Sequence, residues 1–421
     1  MIHMALFLLG EKMEKIEDWL NSRIGLNFRT GLERMKQAIS LLGHPEKACP
    51  MIHVTGTNGK GSTVAFLQHL FVQHQKRVGT FTSPHMETVR DRICLNGEPI
   101  SERDFSRLGN QVHQMEKSLL ETHDQLSYFE ILSLIAFLYF AEQDVDVALI
   151  EVGIGGLLDT TNVITGSVSV ITSLGLDHQE TLGSSLESIA EQKAGIFKAG
   201  NPAVIGPLPE VARQVCRKRA RELNIDLYEY GTDFSLKDKV LRAGQHYWSD
   251  LELGLPGTYQ EENAAVAVEA FLLFMERQSW QPDQSLVKKA LAQTTWAGRL
   301  EKICHGLYLD GAHNLPAVKR LVEFIRQEED KEILILFGAL KRKDYSEMLQ
   351  YLQEELPQAS LSLTSFSYDE TIGEQEAGDL PFIRDYQGFI RDYLQTRHSH
   401  SLLFVTGSLY FIAEVRQFLK G

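Results

Sequence analysis

The chain is poor in cysteine and has no long apolar run. Its cysteines are Cys49, Cys94, Cys216 and Cys304. They lie too far apart in the sequence for metal-ligand or redox spacing, which predicts reduced thiols in a cytosolic protein. The most apolar stretch, residues 128–140, is too short to span a bilayer and contains Glu130. The apolar residues 5–9 follow no basic segment and precede Glu11, so they do not resemble a signal peptide. These absences predict a cytoplasmic protein with no membrane partner.

Basic residues are scarce relative to acidic ones. The chain has 42 lysines and arginines against 56 aspartates and glutamates, which gives a formal net charge of −14. Such a charge opposes binding to a phosphate backbone, so the composition predicts no nucleic-acid partner. A small anionic substrate is compatible with it only where a local basic pocket outweighs the field of the whole protein.

The strongest local pattern is HVTGTNGKGST at residues 53–63, between an apolar run and a helical pattern. Glycines let backbone N–H groups turn towards an anion, the helix N-terminus adds partial positive charge, and Lys60 adds a full one. The strict P-loop pattern fails, because it needs glycine at Val54 and a hydroxyl at Gly61. The order of strand, glycines, lysine, hydroxyls and helix still favours phosphate binding over a plain glycine-rich turn.

The length of 421 residues predicts two domains. Predicted strands and helices alternate, a polar, turn-rich stretch follows at residues 226–256, and the alternation resumes near residue 298. This order is typical of parallel sheets flanked by helices. We predict an α/β protein with a P-loop-containing parallel-sheet domain at residues 1–296 and a smaller, Rossmann-like α/β domain at residues 297–421. No long heptad pattern or large apolar surface stripe is present, so we expect a monomer.

Two predicted strands end at a potential metal ligand. Glu151 ends one of them, and His178 follows the next. Ligands bind beyond the carboxyl ends of such strands, and a carboxylate beside a phosphate loop is where a magnesium-binding acid would lie. We therefore interpret Glu151 as a metal ligand rather than an exposed strand-end charge. His178 and Ser83 are weak candidates alone, since Mg²⁺ prefers oxygen and a hydrogen-bonded loop histidine is the commoner case.

Other polar residues are ambiguous by themselves. Residues 153–162 indicate a tight turn with an Asx cap, and not a dinucleotide fingerprint, which would need glycine at Leu158. Taken alone, Arg299 is typical of a surface residue, Asp310 of a turn former, and Lys193 of a lysine on a helix surface.

Together, seven motifs resemble the folylpolyglutamate synthase family in order and spacing. This family belongs to the Mur ligase superfamily, and its bacterial members often double as dihydrofolate synthase. The motifs are residues 53–63, TSPH at 82–85, residues 153–162, LDH at 176–178, KAGIFK at 193–198, GR at 298–299 and DGAHN at 310–314. They cover nearly the whole chain. The extra Gly61 that breaks the strict P-loop is part of the family's own form.

The resemblance implies an ATP-dependent ligase that adds L-glutamate to a folate. ATP would phosphorylate the folate carboxylate to an acyl phosphate, which the glutamate amine would then attack. The N-terminal domain would bind ATP and the folate, and the C-terminal domain would bind glutamate. The residues implied for ATP are Asn58, Gly59, Lys60, Gly61, Ser62, Thr63, Asn263, Arg299 and Asp310.

The resemblance also implies two Mg²⁺ ions, held by Ser83, Glu151 and His178. Lys193 matches the lysine that is carbamylated in this family, a modification that would turn it into an acid and help to place the second ion. The implied catalytic residues are Lys60, Lys193 and His313. The implied substrate residues are Arg92, Gly155, Asp159 and Ser408. Arg90 and the basic residues 341–343 are further candidates for contacts with an anionic folate.

Two other functions stay open at this point. A Mur-type peptidoglycan ligase would share the ATP chemistry, but such enzymes usually carry an N-terminal substrate domain, and little chain precedes residue 53. A non-ligase P-loop nucleotide-binding protein would not need a second α/β domain with polar motifs at residues 310–314 and 406–408. The sequence leaves open whether the first substrate is dihydropteroate, a reduced folate or both.

Overall fold

A computed structural model of the chain describes residues 16–25, 31–328, 330–341 and 345–420. Their strands form a mostly parallel eight-stranded sheet, a three-stranded antiparallel sheet and a mostly parallel six-stranded sheet. The predicted α/β class is confirmed. Within these ranges no helix combines the length and apolar character that crossing a membrane requires.

The eight-stranded sheet places three strand ends side by side. Its strands are β1 Met51–Thr55, β2 Val78–Phe81, β3 Ile93–Leu95, β4 Glu98–Pro99, β5 Val147–Glu151, β6 Val168–Ile171, β7 Ala203–Ile205 and β8 Leu227–Glu229. Their order is β4-β3-β2-β5-β1-β6-β7-β8, and only β3 and β4 run antiparallel to their neighbours. The central strands are buried along their whole length, because helices cover both faces of the sheet. The carboxyl ends of β5, β1 and β6 are therefore adjacent.

Helices cover both faces of this sheet. They are α1 Ile16–Asn21, α2 Glu33–Leu41, α3 Lys60–Gln73, α4 Glu102–Leu119, α5 Tyr128–Glu142, α6 Gln179–Leu182, α7 Leu186–Ala194, α8 Glu210–Leu223, α9 Tyr259–Arg277 and α10 Gln284–Gln293. One core packs α3, α9 and α10 on the sheet, and another packs α1, α2, α4 and α5 on it. The apolar stretch at residues 128–140 lies within α5, where residues 130–140 are buried. In the described part of residues 11–44, α1 and α2 are helical, and residues 22–25 form turns after α1.

A small antiparallel sheet lies beside α9. Its strands are β9 Phe234–Lys237, β10 Val240–Ala243 and β11 His246–Trp248. All three strands lie within the polar, turn-rich stretch at residues 226–256, whereas β8 at the start of that stretch joins the large sheet. Short 3₁₀ helices occur at Pro45–Lys47, Val89–Arg92, Thr160–Val163 and Glu374–Ala377.

The six-stranded sheet begins after a turn that follows α10. Its strands are β12 Glu301–Cys304, β13 Leu307–Leu309, β14 Glu332–Phe337, β15 Ser360–Thr364, β16 Phe382–Ile383 and β17 Ser401–Thr406, in the order β12-β13-β17-β14-β15-β16. Its helices are α11 Leu315–Ile325, α12 Tyr345–Glu355, α13 Tyr386–Thr396 and α14 Leu409–Lys420. Separate apolar cores lie on its two faces. The change of sheet falls between residues 293 and 301, where the predicted domain boundary at 296/297 also lies.

Candidate active site

A cleft of about 1390 Å³ opens at the carboxyl ends of both parallel sheets. The loops after β1, β2, β5 and β6 line one wall, and the loops after β13, β15 and β17 line the other. Most of the predicted site residues line this cleft: Asn58, Gly59, Lys60, Gly61, Ser83, Arg92, Glu151, Gly155, Asp159, His178, Lys193, Arg299, His313 and Ser408. The remaining candidates, Ser62, Thr63, Asn263 and Asp310, are buried behind its walls.

The phosphate loop is held in shape by the end of β6. Ser173 Oγ accepts a hydrogen bond from the Asn58 backbone N–H at 3.0 Å, and the Thr57 N–H donates to the Ser173 carbonyl at 2.9 Å. Lys60 folds back over the loop, where its Nζ donates to the Gly56 carbonyl at 2.9 Å. Burial lowers the pKa of Lys60, while Glu151 beside it acts in the opposite direction. The loop thus forms a fixed cradle with a cation across it.

Two glycines let other elements approach this loop closely. Gly59 has φ +85°, and a Cβ there would lie 2.3 Å from Asn263 Oδ1 on α9. A Cβ at Gly61 would lie 2.7 Å from the indole nitrogen of Trp296, in the segment that joins the two sheets. The glycine that breaks the strict P-loop pattern therefore makes room for Trp296 against the first turn of α3.

Glu151 has the surroundings of a metal ligand. It ends β5, opposite Val54 of β1, and is only 3% exposed. Burial raises its pKa, and Lys60, the Ser83 backbone N–H at 3.2 Å and Arg299 counter this rise. Mg²⁺ is commonly held by one or two carboxylates together with phosphate oxygens and water. A single buried carboxylate beside a phosphate cradle fits that description.

His178 is more exposed than its predicted metal role suggests. It precedes α6 with φ +50°, its side chain is 41% exposed, and its Nε2 lies 4.0 Å from Asp177 Oδ1. Among the described residues, no three histidines, cysteines or acids are grouped as a ready-made metal site. The assignment of His178 and Ser83 to metal binding stays a prediction.

Lys193 is buried on α7 with 3% exposure, so its interpretation as a helix-surface lysine is wrong. Burial lowers its pKa to about 7, Lys60 adds to this effect, and Asp177 and Asp159 oppose it. No local sequence pattern indicates this burial, because a charged residue on a helix usually faces solvent. An amine with this pKa is largely neutral, and hence nucleophilic, at mildly alkaline pH.

Asp159 organises the glycine-rich loop after β5. Its Oδ2 accepts the backbone N–H groups of Gly153 and Ile154 at 3.0 Å each, and its Oδ1 accepts that of Thr161 at 3.0 Å. The predicted Asx cap is confirmed. Gly155 in the same loop accepts a hydrogen bond from Thr55 Oγ1 of β1 at 2.6 Å. The substrate roles of Asp159 and Gly155 stay predictions.

Arg92 belongs to an aromatic part of the cleft that the sequence did not indicate. Its Nε donates to His85 Nδ1 at 3.1 Å, and its guanidinium lies 5.7 Å from the ring centre of Tyr128. Tyr128 and Tyr410 line the cleft from opposite domains. Arg90 Nη1 donates to the Ile100 carbonyl at 3.3 Å, and its expected contact with folate stays a prediction.

The C-terminal wall contains a second set of ordered turns. Asp310 accepts the backbone N–H groups of Leu300 at 2.8 Å and Ala312 at 3.0 Å, which confirms it as a turn former. Burial raises the Asp310 pKa, and Arg299 opposes the rise. His313 Nδ1 lies 2.8 Å from the Gly311 carbonyl oxygen.

Near the end of β17, Ser408 accepts the Tyr410 N–H at 3.2 Å. Lys341 after β14 is exposed and pairs with Glu376 at 2.6 Å, while Arg342 and Lys343 lie outside the described residues.

An amide pair joins the two walls. Asn58 Nδ2 donates to Asn314 Oδ1 at 3.1 Å, and Asn314 Nδ2 lies 3.2 Å from Asn58 Oδ1. Asn314 Oδ1 also caps α11 by accepting the Ala317 N–H at 3.0 Å. Asn314 was not among the predicted site residues, although it ends the DGAHN motif. The phosphate loop therefore touches the second domain directly.

Known proteins resemble this chain over almost its whole length. Residues 54–271 match the Mur ligase middle domain. A dihydrofolate synthase/folylpolyglutamate synthase of Bacillus subtilis is 35% identical to the chain, over 96% of the chain and 98% of the relative. The chain belongs to the folylpolyglutamate synthase/dihydrofolate synthase family. This membership confirms the predicted family and the predicted ATP-dependent ligase, and it favours a folate ligase over both alternatives.

Solved structures of this family share the fold. An FPGS–AMPPCP–folate complex is 30% identical, with a TM-score of 0.86, over 96% of this chain and 99% of that one. A bifunctional folylpolyglutamate synthase/dihydrofolate synthase from Yersinia pestis, complexed with AMPPNP and a manganese ion, is 26% identical with a TM-score of 0.86. The match covers 97% of this chain and 99% of the Yersinia pestis chain.

Proposed function

We propose that this ligase joins the amine of L-glutamate to the carboxylate of a reduced folate, and that dihydropteroate is a second acceptor. The observation that carries the proposal is the cleft itself. It combines a phosphate cradle, a buried carboxylate and a buried lysine from one domain with polar turns from the other. The bound AMPPCP and folate of one relative, and the AMPPNP and manganese of another, support the same assignment.

ATP would lie along the phosphate loop, with Asn58, Gly59, Lys60, Gly61, Ser62 and Thr63 on one side. Lys60 already crosses the loop, so it is placed to neutralise phosphate charge as the γ-phosphoryl group moves to the acceptor carboxylate. Asn263 would support the loop through its contact at Gly59. Arg299 and Asp310 would complete the site from the segment between the domains and from β13.

Two Mg²⁺ ions would be held by Ser83, Glu151 and His178 together with phosphate oxygens. When bound, they would neutralise the negative charge that otherwise keeps ATP and a carboxylate apart. The neutral amine of Lys193 fits carbamylation, since only an unprotonated amine attacks CO₂. The product carries a carboxylate, and Lys60 and the ions would compensate this charge.

The acceptor would lie against Arg92, Gly155 and Asp159, with its carboxylate towards Lys60. His313 and Ser408 would face the incoming glutamate from the second domain. Closure of the cleft would keep water away from the acyl phosphate, whose hydrolysis wastes ATP. The division at residues 1–296 and 297–421, a monomeric state and a cytoplasmic location belong to the same proposal.

The test incubates the purified protein with MgATP and radiolabelled glutamate, with tetrahydrofolate in one tube and dihydropteroate in another. Label in both products would establish both activities, and label only with tetrahydrofolate would limit the chain to polyglutamylation. A Lys60→Met variant controls for a contaminating ligase, and a tube without acceptor measures label that does not depend on the acceptor. Label in neither product, from protein that still binds ATP, would refute the proposal.

A further inference from the structure

One loop of the cleft is held from the opposite domain. Residues 83–92 connect β2 to β3 in the large sheet, and all but Arg90 and Asp91 line the cleft. The carboxylate of Glu87 in this loop accepts hydrogen bonds from Arg416 Nη1 and Lys420 Nζ, both on α14. Gln417 Nε2 on the same helix donates to the Glu87 carbonyl at 2.9 Å. Three side chains of α14 therefore converge on one loop residue.

Arg416 also reaches the segment between the domains. Its Nε lies 3.0 Å and 3.2 Å from the two carboxylate oxygens of Glu301 at the start of β12. Glu301 in turn accepts the backbone N–H of Gly298 at 2.8 Å. The Arg416 side chain is only 19% exposed. This arginine thus links the connecting segment, α14 and the loop of the other domain.

Hydrogen bonds within the loop link Glu87 to Asp91. The backbone N–H groups of Glu87 and Thr88 donate to Asp91 Oδ2 at 2.7 Å and 3.0 Å. The Thr88 hydroxyl donates to Asp91 Oδ1 at 3.0 Å. Arg92 directly follows Asp91 in the chain and lines the cleft. A displacement of Glu87 would therefore move the guanidinium of Arg92.

We propose that Arg416, with Lys420, is a positioning residue for the first substrate. It fixes residues 83–92, and with them Ser83 and Arg92, in the conformation that binds the folate-type acceptor. The binding site is then complete only while α14 is docked on the loop. The identity of this substrate rests on the function proposed above.

A second ion pair across the same interface supplies a matched control. Arg320 on α11 contacts Glu262 on α9 at 3.1 Å, with side-chain exposures of 40% and 27%. It also joins the two domains, but it does not touch residues 83–92. If these ion pairs acted only by holding the two domains together, loss of the Glu262 pair would lower kcat/KM as much as loss of the Glu87 pair.

The experiment compares Glu87→Gln, Arg416→Gln, their double variant, Arg416→Lys and Glu262→Gln as full-length proteins. In Glu87→Gln and Arg416→Gln, kcat/KM for tetrahydrofolate should fall ~10- to 100-fold, mainly through KM, since small misplacements of binding groups cost this much. The KM for ATP should rise less than the KM for tetrahydrofolate, because the phosphate loop is untouched and Ser83 is the only residue of the displaced loop assigned to the nucleotide and its metal ions. The double variant should be no worse than the worse single variant, Arg416→Lys should recover part of the loss, and Glu262→Gln should match wild type.

Hydrogen exchange gives a readout that does not depend on turnover. Amides of residues 83–92 should exchange faster in Arg416→Gln than in wild type or Glu262→Gln. Equal exchange in all three proteins, or a loss of activity in Glu262→Gln as large as in Glu87→Gln, would overturn the positioning role. A wild-type protein that glutamylates no folate would instead overturn the proposed function, and the exchange result would still decide whether α14 orders the loop.

Discussion

The buried amine of Lys193 leads to a quantitative prediction about its reaction with CO₂. With a pKa of about 7, ~90% of this amine is neutral at pH 8, against ~0.4% for a lysine with the ordinary pKa. At equal access to CO₂, this difference in neutral fraction favours carbamate formation at Lys193 over a surface lysine by at most ~200-fold, because an amine of lower pKa is also a weaker nucleophile.

The neutral fraction of Lys193 should increase with pH, and the shape of this increase distinguishes it from an ordinary lysine. At fixed dissolved CO₂, the neutral fraction of Lys193 should rise ~10-fold between pH 6 and pH 8 and level off above pH 7, whereas an ordinary lysine would rise ~100-fold without levelling. Protein equilibrated with ¹³C-bicarbonate should show one carbamate signal by ¹³C NMR that is absent from Lys193→Arg. Ligase activity of that variant should be ~10- to 100-fold lower, as for residues that orient a metal site.

Two results would refute this reasoning. One is a wild-type protein that is fully active at pH 8 in bicarbonate but shows no carbamate signal. The other is a Lys193→Arg variant that keeps the signal, because the carbamate would then lie on another lysine. Bicarbonate depletion of wild type, followed by its restoration, is the matched control, since it changes the modification without changing the sequence.

Three further predictions concern the scaffold. The change in the free energy of unfolding can be measured in each case by urea unfolding. Gly59→Ala should cost about 1–3 kcal/mol and weaken ATP binding, because φ +85° disfavours a side chain and the new Cβ would meet Asn263. Burial raises the pKa of Glu269 to about 7, so the stability that this one carboxyl contributes should fall as pH rises from about 4.5 to 7. Glu269→Gln should then be more stable than wild type by about 3 kcal/mol at pH 8 and equal to it near pH 4. Arg34→Met should cost about 3–5 kcal/mol, since it leaves the buried Glu130 carboxylate unpaired.

Each of these has a contradicting outcome. Unchanged ATP affinity in Gly59→Ala would mean that the loop adapts to a side chain. A pH-independent difference between Glu269→Gln and wild type would mean that this carboxyl does not titrate in the expected range. For Arg34→Met, the control is Lys36→Met, which removes a solvent-exposed pair with Glu33 and should leave the free energy of unfolding almost unchanged. Equal losses of stability in Arg34→Met and Lys36→Met would mean that burial of the ion pair does not determine the cost of breaking it.

Local patterns predicted much of the fold because they reflect local physics. The apolar runs of β1, β5 and β6 and the glycines of residues 53–63 appear where the sequence indicates them. Tertiary environment was not predictable in the same way. The burial of Lys193 depends on packing of α7 against loops, and the Asn58–Asn314 amide pair joins residues 256 positions apart. The spacing of apolar residues carries no information about contacts between distant parts of the chain. Only the motif resemblance therefore indicated that Lys193 and the DGAHN motif belong to the site.

The contact between Trp296 and Gly61 gives the protein an intrinsic optical probe. The indole of Trp296 packs on the first turn of α3, immediately beside the phosphate cradle, and belongs to the segment between the sheets. The chain has four tryptophans, and the cores of the large-sheet domain contain or contact Trp19, Trp248 and Trp280 as well. In a Trp296→Phe difference spectrum, nucleotide binding and domain closure should therefore be visible as fluorescence changes without any attached dye.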